Sequence, residues 1–443
     1  MINLSRRIFL ALGIWVFLLV SSSAWGKTLT VCKSCAYASV KTAVQKAKPG
    51  DTVLVKGGLY QESGIEVNKP LVLLGQNYPV IDGKNTGEII SITSDQVTVQ
   101  GFTLQNVATS YRRDDAAIRV LGRNHIKILD NTILKTFFAI YLQNAEDIVI
   151  KGNKVKGENA NRNETALGNA IHLYYCNNAV ISNNDVQGHR DGIYLETVKD
   201  AKVHHNLSHQ NQRYGMHFMF SDRNVYTHNT FKQNGAGVAV MYTHNVHMAH
   251  NTFEDNWGAA SYGLLLKDIS NSTIENNLFR GNTTALHMES SSRLQIRRND
   301  FERNGWAVKL LTSCLEDTFQ LNNFTGNSFD VSTNGSSANN FFERNYWERY
   351  TGYDLGRDQI GDVPYRPVSL YSMLVEKVPA SVMFMRSFMI DLLDSMERVL
   401  PSIIPDQLVD ERPLMKKIHH DTDRKPVQAL RQTASAATGE RHL

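Results

Sequence analysis

Residues 202–231 read KVHHNLSHQNQRYGMHFMFSDRNVYTHNTF, and one short pattern occurs twice in them: Val203-His204-His205-Asn206 and Tyr226-Thr227-His228-Asn229. The step from Asn206 to Asn229 is not isolated. From Ile126 onward the chain repeats an apolar-x-apolar stretch followed by asparagine, at Asn131, Asn153, Asn184, Asn206, Asn229, Asn251, Asn277, Asn299, Asn323 and Asn345. Six of the nine intervals share nearly one length, and the longest, from Asn153 to Asn184, contains the polar insertion at 158–165. Fixed spacing with insertions at single points marks a solenoid.

A second apolar stretch follows each asparagine by about ten residues, as in AIYL at 139–142, AIHL at 170–173, GIYL at 192–195, GMHF at 215–218, GVAV at 237–240 and GLLL at 263–266. Period-two alternation between turn residues predicts strands. Three short strands per turn, stacked in parallel, predict an all-β protein built as a right-handed parallel β-helix with rungs of about 22 residues. The repeated asparagine then sits at a turn, its amide bonding the rungs above and below.

The flanks differ from the repeat. Residues 1–26 carry Arg6-Arg7, an apolar run from Ile8 to Val20 and a small-residue end, which predicts a secretory signal and a periplasmic mature chain. Export unfolded is expected ahead of a twin-arginine route. Residues 27–125 hold an N-terminal cap helix, expected within 36–47, and the first coils. Residues 126–345 are the repetitive coil, and 346–410 an extension whose stretch 378–399 predicts one C-terminal amphipathic helix, with Val382, Met385, Phe388, Met389, Leu392, Leu393 and Met396 at helical spacing. Residues 411–443 predict a polar, disordered tail. Formal net charge is +4, concentrated in signal and tail, so no basic face for nucleic acid is expected. Of four cysteines, Cys32 and Cys35 predict a small disulfide ahead of a redox or metal pair, and Cys176 and Cys314 buried thiols.

In a parallel stack, equivalent residues of successive turns lie about 4.8 Å apart, so columns carry the chemistry. In the second strand, alternation sends Met216 and Phe218 into the core and His217 and Met219 to the surface, with Met241 stacked on Met219 from the next rung. Thioether and imidazole together suit Cu(I); adaptable apolar packing is the competing account. Residues His205, His228 and His250 precede three consecutive ladder asparagines and form a second-choice metal column, against a plain turn role at a left-handed position. Nine of the fifteen histidines fall between His189 and His250. Asp114-Asp115, and His189-Arg190-Asp191 followed by Glu196, are candidates for acid/base work on acidic polysaccharides or for Ca2+ binding, against plain loop and turn roles. No G-x-x-x-x-G-K-[ST] pattern occurs, so no ATP site is expected in this chain.

The runs RYGMHFMFSDRN (213–224), GVAVMYTHNV (237–246), SYGLLLKDI (261–269), NNFTGNSFDVSTNG (322–335) and NYWERYTGYDLGRDQIGDVPYRPVSLYS (345–372) resemble the NosD family, over about residues 27–415. The last run is not demanded by a β-helix repeat, which makes the resemblance specific. It implies a periplasmic, non-enzymatic role in maturing nitrous oxide reductase: transient copper binding, a lipoprotein copper chaperone as donor, and a complex with the membrane and ATPase subunits of an ABC transporter. Residues 378–399 are then expected to dock on the membrane subunit, with packing against the open end of the coil as a competing and compatible account. A polysaccharide lyase or epimerase and a metal-free scaffold for the reductase are the alternatives.

Overall fold

The computed structural model describes residues 26–109, 114–158, 167–335, 339–385, 387–399 and 408–419. The expected signal, apart from Gly26, and everything beyond His419 lie outside the described residues. The chain winds through three parallel sheets. The first has 14 strands, from Thr28–Val31 to Phe341–Glu343; the second has 13, from Leu59–Tyr60 to Tyr346–Trp347; the third has 12, from Ile65–Val67 to Phe329–Ser332. Each strand pairs with its equivalents one rung away, so the expected right-handed β-helix is what forms. Among the described residues no helix is long and apolar enough to cross a membrane.

Two ladders bind the rungs at the turn between the first two sheets and at the entry to the third. In the first, the amide oxygen of each asparagine accepts from the backbone N–H and side-chain amide of its predecessor, as Asn229 does from Asn206 at 3.0 and 2.9 Å. The residue before each ladder asparagine is left-handed: φ is 57° at His205, 56° at His228 and 56° at His250. One predicted member is displaced. The ladder runs through Asn322, bonded to Asn299 and Asn345, whereas Asn323 lies in the strand and bonds Asp300 and Ile418. The second ladder, Asn211, Asn234, Asn256, Asn282, Asn304 and Asn327, was not anticipated from the repeat. Inside it Phe253, Phe279, Phe301, Phe324 and Trp347 stack at 4.1 to 4.9 Å. Glycine opens many third-sheet strands because this corner is crowded: a Cβ on Gly215 would lie 2.7 Å from both Asn234 Nδ2 and the Gly237 carbonyl.

A shorter ladder at the turn from the third sheet back to the first includes Asp317, whose Oδ1 accepts from Leu294 N–H at 2.9 Å while Oδ2 is buried with no partner. Burial, opposed less strongly by the Leu294 hydrogen bond, pushes this carboxyl up to about 7. A carboxyl with a raised folded pKa is best tolerated when protonated, so its contribution is fully present below about pH 4 and is lost as pH rises through about 7. Asp317→Asn keeps the acceptor and adds a donor of the kind Asn340 offers to the Cys314 carbonyl. It is expected to stabilise the protein by about 2–4 kcal/mol at pH 8 and by much less at pH 4, in denaturant titrations at the two pH values.

Both ends are capped. Helix α1 (Val40–Lys46) buries Val40, Ala43 and Val44 over the first rung, and its first N–H groups are met by Ser39 Oγ and the Glu62 carboxylate. It is shorter than the stretch expected to hold it. Cys32 and Cys35 form the disulfide, and Cys176 and Cys314 are buried thiols.

The C-terminal region departs from expectation twice. In place of one helix over 378–399 there are helix α2 (Leu370–Lys377), a 3-10 turn (Pro379–Phe384) and helix α3 (Phe388–Val399). Pro379 forces Val378 out of helical geometry (φ −132°, ψ 84°), and Met385 is extended (φ −53°, ψ 133°). Second, the tail expected to be disordered from 411 is placed through 419. Leu414 pairs with Tyr346 and Ile360, and Asp410 is fully buried under the last rung.

Candidate metal centre on the third sheet

Three outward positions of the third-sheet strands form the site. Register pairs Tyr194 with His217 with Ala239, and Glu196 with Met219 with Met241. The thioethers of Met219 and Met241 are therefore on adjacent rungs of one column, both partly exposed. Met216 and Phe218 point inward and are fully buried, as alternation requires.

His217 departs from the expected surface position. Its ring leaves the outer face, yet it is only 5% exposed. The cover comes from Tyr194 and Tyr214, with ring centroids 5.0 and 4.9 Å away, and from the Arg213 guanidinium. Tyr214 and Asp191 belong to a third outward column, before the glycine, that was not identified from the repeat. Asp191 is fully buried and takes two N–H donors from Arg213 at 2.9 and 2.6 Å. Burial works to raise its pKa, but hydrogen bonds from His217 and Arg213 outweigh that and hold it below the usual carboxylate range.

This pairing orients the imidazole. His217 Nδ1 lies 3.2 Å from an Arg213 nitrogen and 3.8 Å from Asp191 Oδ2. Its Nε2 is buried without a hydrogen-bond partner. An unpartnered buried ring nitrogen is costly. Of the groups near the other nitrogen, the Asp191 carboxylate at 3.8 Å is the kind that backs a metal-ligating histidine, whereas the Arg213 guanidinium is a donor only. The tautomer sets the roles: a ring that accepts from Arg213 at Nδ1 carries its proton on Nε2, and a ring protonated on Nδ1 and turned toward Asp191 leaves Nε2 free as a ligand. Beside it the Tyr194 hydroxyl donates to Glu196 at 2.8 Å and lies 4.0 Å from the Met219 sulfur. Register thus sets one imidazole and two thioethers, donor types that suit a soft cation, at neighbouring positions of one sheet.

Below the patch a run of rings, His172, Tyr141 and Phe138, continues the face. Burial pushes His172 down to about 4, so it stays neutral and packs as an aromatic. The carboxylates considered for acid/base work are dispersed: Asp191 is locked to Arg213, Glu196 is bonded to Tyr194, and His189 is fully buried in a turn. Asp114 instead flanks Tyr141, whose hydroxyl burial and that carboxylate push up to about 12. The second-choice column is stacked rather than convergent. The rings of His205, His228 and His250 lie 4.9 Å apart at 4° and 13°, and parallel rings aim their nitrogens side by side.

At the far end of the same sheet α2 and α3 pack on the outer face. Ile390, Leu393 and Met385 meet Phe329, Tyr371, Val375 and Trp306, and Glu376 accepts from Lys309 at 2.9 Å. The opposite stripe is bare: Phe388 is 81% exposed, Met383 76% and Met389 68%.

Comparison with known proteins bears on both the fold and the patch. Two solved structures share the fold at low identity: the catalytic unit of a GH87 α-1,3-glucanase from Streptomyces thermodiastaticus (TM-score 0.56, 13% identity, 68% of this chain and 63% of that one) and a family 28 exopolygalacturonase from Yersinia enterocolitica (TM-score 0.54, 10% identity, 70% and 77%). At such identity they speak for the fold alone. Residues 157–352, which include the patch, match the family model described as periplasmic copper-binding protein (NosD). Two relatives named as probable ABC transporter binding protein NosD, from Stutzerimonas stutzeri and Pseudomonas aeruginosa, are each 27% identical, over 369 and 368 residues, covering 79% of this chain and 84% and 85% of theirs. A family model over residues 157–352 and relatives aligned along most of both chains agree, and the protein is similar to the NosD family.

Proposed function

We propose that this protein is a periplasmic accessory subunit that accepts Cu(I) from a lipoprotein chaperone at His217, Met219 and Met241 and passes it toward nitrous oxide reductase, for assembly of its copper-sulfide cluster, while bound to an ABC transporter. The observation that carries this reading is the buried, unpartnered Nε2 of His217 on the patch where Met219 and Met241 are register partners. Soft, neutral donors retain Cu(I) without attracting hard cations. The partly exposed methionines leave the ion open to ligand exchange, so a donor or acceptor replaces ligands one at a time. The family description and the relatives' names support copper and a transporter respectively. Titration of the mature chain with Cu(I) against a competing chelator tests the reading. No retained Cu(I) leaves the scaffold, and turnover of a polyuronate leaves an enzyme.

The transporter contact falls to α3. Its inner stripe is used by the coil, and its outer stripe of Phe388, Met389, Leu392 and Met396 is the kind of apolar ridge a membrane subunit's groove buries. Phe388→Glu with Met389→Glu is expected to weaken co-purification with the membrane subunit at least about tenfold, since aromatic anchors carry about 2 kcal/mol or more each. Thermal stability should be unchanged, because neither side chain is packed. Undiminished co-purification would place the contact elsewhere.

A further inference from the structure

A second pair of metal-capable side chains lies away from the third sheet, at the corner between the first and second. His204 ends the strand Lys202–His204, and His205 makes the left-handed turn after it. Their Nδ1 atoms are 3.1 Å apart, with the rings perpendicular and centroids 5.3 Å apart. Two imidazole nitrogens this close cannot both carry protons; they share one, or they share a cation. His228 stacks on His205 and fixes its plane.

Neither histidine is required by the backbone. The turn column accepts Asp130, Gly152, Asn183 and Asn276 with the same left-handed geometry. The register partners of His204 on the rungs to either side are Ser182 and Thr227. The fold therefore explains a polar residue at each place but not two imidazoles in contact.

The geometry also selects the ion. At metal–nitrogen distances of about 2.0–2.1 Å, nitrogens 3.1 Å apart subtend about 100° at the ion, the cis angle of a tetrahedral or tetragonal centre. Two-coordinate Cu(I) opens that angle toward a line. We propose that His204 and His205 form a second, imidazole-only metal site that takes a borderline divalent ion, Cu2+ ahead of Zn2+. Among the described residues no group of three or more histidine, cysteine or acidic side chains converges. Water therefore completes the shell, as the partly exposed rings permit.

The test is titration of untagged mature protein with Cu2+ alone, read by affinity and by nitrogen hyperfine structure in the electron paramagnetic resonance spectrum. His204→Ser with His205→Asn uses residues the coil itself places at those positions, so the turn is kept. It is expected to lose the two-nitrogen signature and to bind Cu2+ at least about tenfold more weakly. His205→Asn alone should reduce the signature to one nitrogen. Met219→Ala with Met241→Ala should keep the Cu2+ signature while losing Cu(I), which separates failure of this site from failure of the Cu(I) site. An unchanged Cu2+ affinity and spectrum in the double histidine variant overturns the proposal. So does loss of the signature in the methionine variant.

Discussion

Mature protein carrying Met219→Ala and Met241→Ala is expected to bind Cu(I) at least about 100-fold more weakly than the parent. Changing a group that only supports a ligand typically costs about 10–100-fold in metal affinity. Removing two donors outright should exceed the upper end of that range. The two sulfurs act together because the parallel register sets Met219 beside Met241, so one ion can be shared between rungs. Either single variant should fall between parent and double variant. His217→Ala confounds affinity with packing, since that ring fills the space between Tyr194 and Tyr214. His217→Gln tests the nitrogen with less loss of volume. Competition with a Cu(I) chelator measures each, and an affinity equal to the parent's in the double variant removes this patch as the site.

Asp410→Ala is expected to open the C-terminal end of the coil. The Asp410 carboxylate receives five N–H donors: Arg344 N (3.1 Å) and Arg412 N (3.2 Å) on Oδ1, and Asn345 N (2.9 Å), Asn345 Nδ2 (3.1 Å) and Trp347 Nε1 (3.0 Å) on Oδ2. The two contacts from Asn345 copy those that every earlier ladder asparagine makes to the next rung. Asp410 therefore serves as a final rung made of one side chain, acceptor-only, which ends the ladder without leaving a donor over. Removing it strands buried donors at about 1–3 kcal/mol apiece, less than additively, so the last rung should lose about 3–5 kcal/mol. Hydrogen exchange at residues 340–347 and limited proteolysis within 408–419 should both accelerate, while exchange near residues 50–100 stays unchanged. Asp410→Asn keeps one acceptor and should be intermediate. Parent-like protection in the alanine variant would show that the strap at Leu414 and Ile418 holds the end unaided.

The coil was legible because its cause is periodic. Asparagine spacing and the apolar alternation follow from each rung solving the same packing problem as the last. Reading failed where local preference and register disagreed. At Asn322-Asn323 local preference favours Asn322 as the left-handed residue, yet Leu321 takes that role (φ 56°), because Phe324 must stack between Phe301 and Trp347. The second asparagine ladder follows the first at a constant offset, as Asn211 follows Asn206, and its own spacing could have revealed it. No such signal exists for Asp410, which reaches the last rung from 65 residues beyond Asn345.

Residue order alone determined the β-helix, the column shared by Met219 and Met241, and the inward turn of Met216 and Phe218. Those follow from period-two alternation within a strand and near-constant spacing between rungs, both local properties of a chain. Tertiary structure alone decided that His217 is buried under Tyr194, Tyr214 and Arg213, that Asp191 steadies its ring, and that Nε2 is left without a partner. It also decided which stripe of α3 the coil consumes and which it leaves bare. Burial and hydrogen bonding of a side chain depend on what neighbouring rungs and distant segments bring above it, and no period in the chain encodes that.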